Sequence, residues 1–181
     1  AATAVPAHRI EQSQAAEFAA TLFRGKLDRL DALLPVFANA GIRTRYLAKP
    51  PAWFGEPHAL EDKNRDYIEA ATELSARAIR ELLARTSLEP RDIDYILYVN
   101  TTGLATPSID ARLINVLGLR DDVRRTPIWG LGCAGGAAGL SHAYHHVLGH
   151  PRDRVLVVAC ELCGLTFLAD DFTKSNLVAC A

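Results

Sequence analysis

Apolar positions along the chain follow two different rhythms. Between Glu11 and Ala40 they recur at helical spacing, with Phe18, Leu22, Leu30, Leu33, Leu34 and Phe37 among them. That spacing predicts two short helices, the first broken near Gly25 and the second interrupted or started near Pro35, before a more extended segment at Arg43–Tyr46. Lys49–Pro57 is proline-rich and reads as a loop under which Trp53 and Phe54 pack. Asp62–Arg85 is a long amphipathic helix: Tyr67, Ala71, Leu74, Ala78 and Leu82 form an inward stripe, and Glu and Arg residues a solvated outer face.

Past Ser87 the rhythm changes. Asp94–Asn100 carries the unbroken run Tyr-Ile-Leu-Tyr-Val, as in a parallel-sheet strand buried on both faces. A helix is predicted from Ser108, its N-cap, to Gly118, which ends it. A short buried strand at Ile128–Gly130 follows, then a helix from Cys133 to about Leu148, then a wholly apolar strand at Arg154–Cys160. Glu161–Ala181 begins as a loop. The order β-α-β-α-β predicts an α/β fold, with helices layered around a mostly parallel sheet and right-handed crossovers. The expected organisation is a helical arm and loop over residues 1–57 and an α/β core over 58–181.

Composition acts mainly by exclusion. Of the 181 residues about half are apolar and about a quarter charged, with a net charge of −1. That balance offers no polybasic surface for nucleic acid, and no apolar run is long enough to cross a bilayer. Ala1–Gln14 lacks the charged start and apolar block of a signal peptide. The four cysteines, Cys133, Cys160, Cys163 and Cys180, lie in the last third of the chain and do not resemble a secreted disulfide scaffold. The expectation is a cytoplasmic protein without nucleic-acid or membrane partners. Met is absent even at position 1, so the chain is expected to be a trimmed product.

The candidate chemistry sits in Thr126-Pro-Ile-Trp-Gly-Leu-Gly-Cys133-Ala-Gly-Gly-Ala-Ala-Gly139. Cys133 lies where a strand turns into a glycine-rich helix. A thiol there has the positive end of a helix dipole beside it, which favours the nucleophilic thiolate, and unsatisfied backbone amides nearby can hold an oxyanion. The alternative is an inert, buried structural cysteine. Sites form at the carboxyl ends of parallel strands, which here are Asn100–Thr102, Gly132–Cys133 and Cys160–Thr166. Cys160-Glu-Leu-Cys163 is a C-x-x-C, but no second ligand pair has matching spacing, so neither redox nor metal chemistry is expected of it. His142, His146 and His150 fall on one helical face without an acidic or Cys companion, and read as exposed polar residues. No metal is expected. None of these histidines can serve the thiol, since even His142 is roughly 13 Å along the helix from Cys133.

Three stretches together resemble a known family: Gly130–Leu140, the preceding Thr101-Thr-Gly-Leu-Ala-Thr-Pro-Ser-Ile-Asp110, and the following Arg154–Cys163. In consistent order from about Ile42 to Ala181, the chain resembles the type III polyketide synthases, the chalcone/stilbene synthase family of the thiolase superfamily, in bacterial form. The resemblance implies a thiolase-like amino-terminal half-fold, here incomplete, and a homodimer. Cys133 would be the acyltransferase nucleophile, loaded from an acyl-CoA starter and extended with malonyl-CoA to chalcone-, alkylpyrone- or resorcinol-type products. CoA thioesters are then substrates, and no cofactor is implied. Thr102, Cys163 and Thr166 fall on the family's cavity wall, and Thr106 where plant members place a Met that reaches into the neighbouring subunit. Ala32, Pro35 and Asn39 stand where plant members carry CoA-binding cations, so no CoA contact is carried over. The condensing His and Asn belong to the family's second half, so this chain alone is not expected to run the full turnover. Two alternatives remain open: an initiating ketoacyl-acyl-carrier-protein synthase, and a non-catalytic interaction or folding fragment.

Overall fold

The structure is a computed structural model and describes residues 1–181, the side chain of Cys180 excepted. Its elements in chain order are β1 (His8–Glu11), α1 (Gln12–Phe23), α2 (Leu30–Leu33), α3 (Pro35–Asn39), β2 (Thr44–Leu47), α4 (Leu60–Thr86), β3 (Tyr95–Asn100), α5 (Ile109–Leu117), β4 (Arg124–Trp129), α6 (Gly135–Gly149), β5 (Val155–Ala159) and α7 (Lys174–Cys180). They group into two compact units. One comprises Val5–Asp66 and Leu162–Ala181, the other Ala1–Ala4 and Tyr67–Glu161.

In the first unit β1 and β2 pair antiparallel, His8 opposite Leu47 and Glu11 opposite Thr44. The predicted break near Gly25 and restart at Pro35 are both present, with Gly25 at φ +71° and Pro35 opening α3. Ala19, Phe23, Phe37 and Leu177 form the buried cluster of this unit. Gln12 is also buried, and its amide donates to the Phe37 carbonyl at 3.0 Å. Thr173 caps α7 by accepting from the Asn176 amide at 3.3 Å. As expected of the proline-rich loop, Phe54 is buried; Trp53 stacks on His58 with centroids 3.9 Å apart.

The second unit is a three-stranded parallel sheet in the order β4-β3-β5. Its central strand is the apolar run singled out by the sequence. Ile96, Leu97 and Tyr98 are fully buried, and each such side chain contributes about 1.5–3 kcal/mol relative to an exposed one. The outer strands differ from expectation. β4 begins at Arg124, pairing Tyr95 with Arg124 and Asn100 with Trp129, and it is not buried: Trp129 is 57% exposed. An edge strand needs only its backbone for the ladder, so the exposed Arg124 and Arg125 can stand where an apolar run predicts core residues, Arg125 donating to Asp110 Oδ2 at 3.1 Å. β5 is half-buried, with Leu156 and Val158 inward. The inward stripe of α4 runs through Tyr67, Ala71, Leu74, Ser75, Ile79 and Leu83, while Ala78 and Leu82 are only half-buried. Among the described residues no helix is long and apolar enough to cross a membrane.

Candidate active site

In the second unit α6 lies directly on the sheet, and its sequence explains how. A Cβ on Gly135 would stand 2.5 Å from Val99 Cγ1, and one on Gly139 would stand 3.0 Å from Val99 Cγ2 and 3.1 Å from Val157 Cγ1. Only hydrogen at these two positions lets the helix axis come so close to the strands. The opposite face of α6 carries Leu140, Tyr144 and Leu148, all exposed.

Cys133 sits in the single 3-10 turn Gly132–Ala134 that leads into α6. Gly132 adopts φ +53°, a left-handed conformation that favours glycine. The thiol is exposed, which removes the buried structural reading. The amides of Ala134 and Gly135 are engaged inside the turn, to the Leu131 and Gly132 carbonyls, so those two do not provide the oxyanion donors expected from the sequence.

The turn is anchored to the other two strand ends. The Gly132 amide donates to Thr101 Oγ1 at 2.9 Å. Thr101 and Thr102 in turn donate their amides to Glu161 Oε2, each at 3.0 Å, and Thr102 Oγ1 donates to the same oxygen at 2.8 Å. One carboxylate oxygen thus gathers two successive amides and a hydroxyl, a concave donor set that suits an anion. Gly130 N to Asn100 O at 3.2 Å and Cys160 N to Val99 O at 3.1 Å extend the ladder past the strands. The three strand ends therefore meet, through Thr102, the Gly132–Cys133 turn and Glu161.

Glu161 escaped the sequence reading. In the sequence it is an acidic residue inside the C-x-x-C, and nothing near it marks Thr101 and Thr102, 60 and 59 positions earlier, as its partners. Of the two cysteines in that motif, Cys160 is half-buried, and desolvation pushes its thiol above the ordinary value; no shift of that kind makes it a ready nucleophile. Beneath the same loop, Tyr98 Oη lies 3.5 Å from Ser75 Oγ, and burial raises both the Tyr67 and Tyr98 phenols well above their usual range.

Thr106 is exposed and joined to Pro107 by a cis peptide bond. Cys163 and Thr166 belong to the first unit, where they bound the 3-10 turn Cys163–Thr166; Thr166 Oγ1 donates to the Cys163 carbonyl at 2.8 Å. Both are exposed. Gly164 in that turn packs against Phe54 and Leu47.

Residues 2–181 match the family model described as chalcone and stilbene synthases, N-terminal domain. The chain is 44% identical over 181 residues to a putative chalcone synthase of Bacillus subtilis, covering 97% of this chain and 50% of that protein. It is 39% identical to a 1,3,6,8-tetrahydroxynaphthalene synthase of Streptomyces peucetius, covering 98% of this chain and 47% of the other. The crystal structure of 1,3,6,8-tetrahydroxynaphthalene synthase from Streptomyces coelicolor, a bacterial type III polyketide synthase, superposes with a TM-score of 0.93 at 32% identity, over 99% of this chain and 51% of that one. The fold is thus the thiolase-like α/β arrangement of that enzyme over the matched half. The chain spans about half the length of the curated relatives it matches.

Proposed function

Given that the chain belongs to the chalcone and stilbene synthase family, matched along its N-terminal domain, we propose that it carries the acyl-accepting nucleophile of a type III polyketide synthase. Cys133 is that nucleophile. Its thiolate attacks the thioester carbonyl of a starter acyl-CoA, and collapse of the tetrahedral intermediate expels the CoA thiolate and leaves an acyl-enzyme. Malonyl-CoA loses CO2, and the resulting carbanion attacks the acyl group. That attack releases the Cys133 thiolate and leaves a CoA thioester two carbons longer.

The observation that carries this reading is the anchored, exposed turn: Gly132 fixed to Thr101, and Thr101 and Thr102 fixed to Glu161. A nucleophile held by its backbone keeps its position without a charged neighbour. Decarboxylative condensation also needs a proton-transferring group and a donor for the thioester oxygen. His146 is roughly 20 Å along α6 from the thiol and cannot supply either. In this reading a His and an Asn from outside these 181 residues do so. Thr102, Cys163 and Thr166 line the acyl cavity, Thr106 faces a second subunit of a homodimer, and the enzyme works in the cytoplasm on CoA thioesters without a cofactor.

Intact-mass measurement after incubation with a panel of acyl-CoAs tests the nucleophile. A single adduct is expected, absent in Cys133→Ala and not on Cys160, whose half-buried thiol has a raised pKa. An adduct that survives Cys133→Ala overturns the assignment. So does no adduct from this chain and none from a version continued over the full length of its relatives.

A further inference from the structure

His146 and His150 are one helical turn apart at the end of α6, so their imidazoles share a face. The rings stack nearly parallel, with centroids 4.5 Å apart and planes at 6°. After α6 the chain turns through Pro151 and Arg152 and brings Asp153 back, with Oδ2 2.8 Å from His146 Nε2. One ligand atom from each of the three lies within 4.8 Å of the other two. Tetrahedral coordination at about 2.0–2.2 Å places ligand atoms roughly 3.3 Å apart, a closure within reach of small side-chain rotations.

The surroundings preorganise this set. The His146 side chain is only 12% exposed and packs against the Tyr95 ring at 4.7 Å. An ion pair would need only His146 and Asp153. The third donor, His150, is held parallel to His146 with its Nδ1 3.4 Å from the His146 carbonyl oxygen and its Nε2 3.5 Å from Arg124 Nη1. That guanidinium is a competing cation, which a metal would have to turn outward. The helical spacing alone suggested a bare polar face, because the acidic partner lies beyond the helix end.

We propose that His146, His150 and Asp153 form a binding site for a divalent transition-metal cation of the Zn2+ class, with water completing the coordination. Two imidazoles and one carboxylate suit Zn2+ and its spectroscopic substitute Co2+ better than the hard cations Mg2+ or Ca2+. The ion would tie the last turn of α6 to the start of β5, at the opposite end of the helix from Cys133. Its role is to pin the helix, and it does not depend on the Cys133 chemistry.

The test is Co2+ absorption and Zn2+ titration calorimetry on the 181-residue chain, with thiols alkylated so that cysteines cannot contribute. One-to-one binding is expected, with tetrahedral visible bands and no sulfur-to-cobalt charge transfer. Binding should be lost in His150→Ala and in Asp153→Asn, and tightened in Arg124→Gln, with far-UV circular dichroism checking that each variant folds. Asp153→Asn keeps shape and hydrogen bonding, so it decides the matter if His150→Ala does not fold. No binding by the parent chain, or equal binding by the folded ligand variants, overturns the proposal.

Discussion

The two ends of α6 are built from opposite materials. At its beginning, glycines and backbone hydrogen bonds define the Cys133 turn, and the nearest charge acts at one remove: Glu161 holds Thr101, and Thr101 holds Gly132. At its end, the geometry is made by ionisable side chains in direct contact: His146, His150, Asp153 and Arg124. The contrast separates two ways of fixing a functional group. A thiol held by conformation is sensitive to backbone volume and to hydrogen bonds relayed through neighbours. A side-chain cluster is sensitive to charge and pH.

The largest effect is expected at the glycine end. Gly135→Ala places a methyl 2.5 Å from Val99 Cγ1, in a side chain that is itself almost wholly buried. Alanine gains roughly 1 kcal/mol over glycine in helix propensity, while overpacking of a filled core costs about 1–3 kcal/mol. The clash wins because Val99 has no flexible end to swing aside. The thermal midpoint should fall, and Val99→Ala in the same chain should recover part of the loss through a favourable coupling in the double-mutant cycle. A Gly135→Ala chain that melts with its parent would show that the sheet and α6 can part at no cost.

This contrast also marks what the sequence could reveal. Strand β3 and the glycine-faced helix were legible because both are dictated by burial, the one by Ile96 and Leu97, the other by Gly135 and Gly139 meeting Val99. Apolar runs predict a short, buried β4, because they do not report an edge strand whose ladder is satisfied by backbone while the exposed Arg124 and Arg125 reach His150 and Asp110. β1 leaves no apolar signal for a similar reason, since His8–Glu11 carries one apolar residue in four and is held by pairing with β2. At the site, Cys133 announced itself through the glycines that its turn requires. Glu161 and Asp153 did not, since their partners are 60 and 7 positions away and only the folded chain brings them together.

A middle-sized effect should follow from loosening the relay. Glu161→Gln keeps an acceptor oxygen but removes the charge that strengthens the three hydrogen bonds from Thr101 and Thr102. Charge-assisted bonds contribute about 1.5–3 kcal/mol and neutral ones about 0.5–1.5; because Glu161 is exposed, screening brings the difference to about 1 kcal/mol or less. The readout is the rate of Cys133 alkylation by iodoacetamide, expected to change several-fold while the thermal midpoint stays near the parent's. A shift of the midpoint with an unaltered rate would make Glu161 a purely structural tie and not a positioning residue.

The smallest effect belongs to the far end and appears only as a pH dependence. The hydrogen bond from His146, with the nearby charges of His150 and Arg124, holds the Asp153 carboxyl below its ordinary value of 3.8. A carboxylate with a depressed native pKa contributes stability that is fully present above the unfolded value. That contribution is lost as the pH falls through the native one. Asp153→Asn deletes it, so with chelator present to remove metal, the variant should unfold at slightly lower urea than the parent near neutrality. The gap should close as the pH descends below 3.8. Cys133 alkylation should be the same in both chains, because the helix separates the two ends by roughly 20 Å. A gap that stays constant down the pH series would mean that the difference between the two chains does not come from ionisation of Asp153. An altered thiol rate would mean that the two ends of α6 communicate after all.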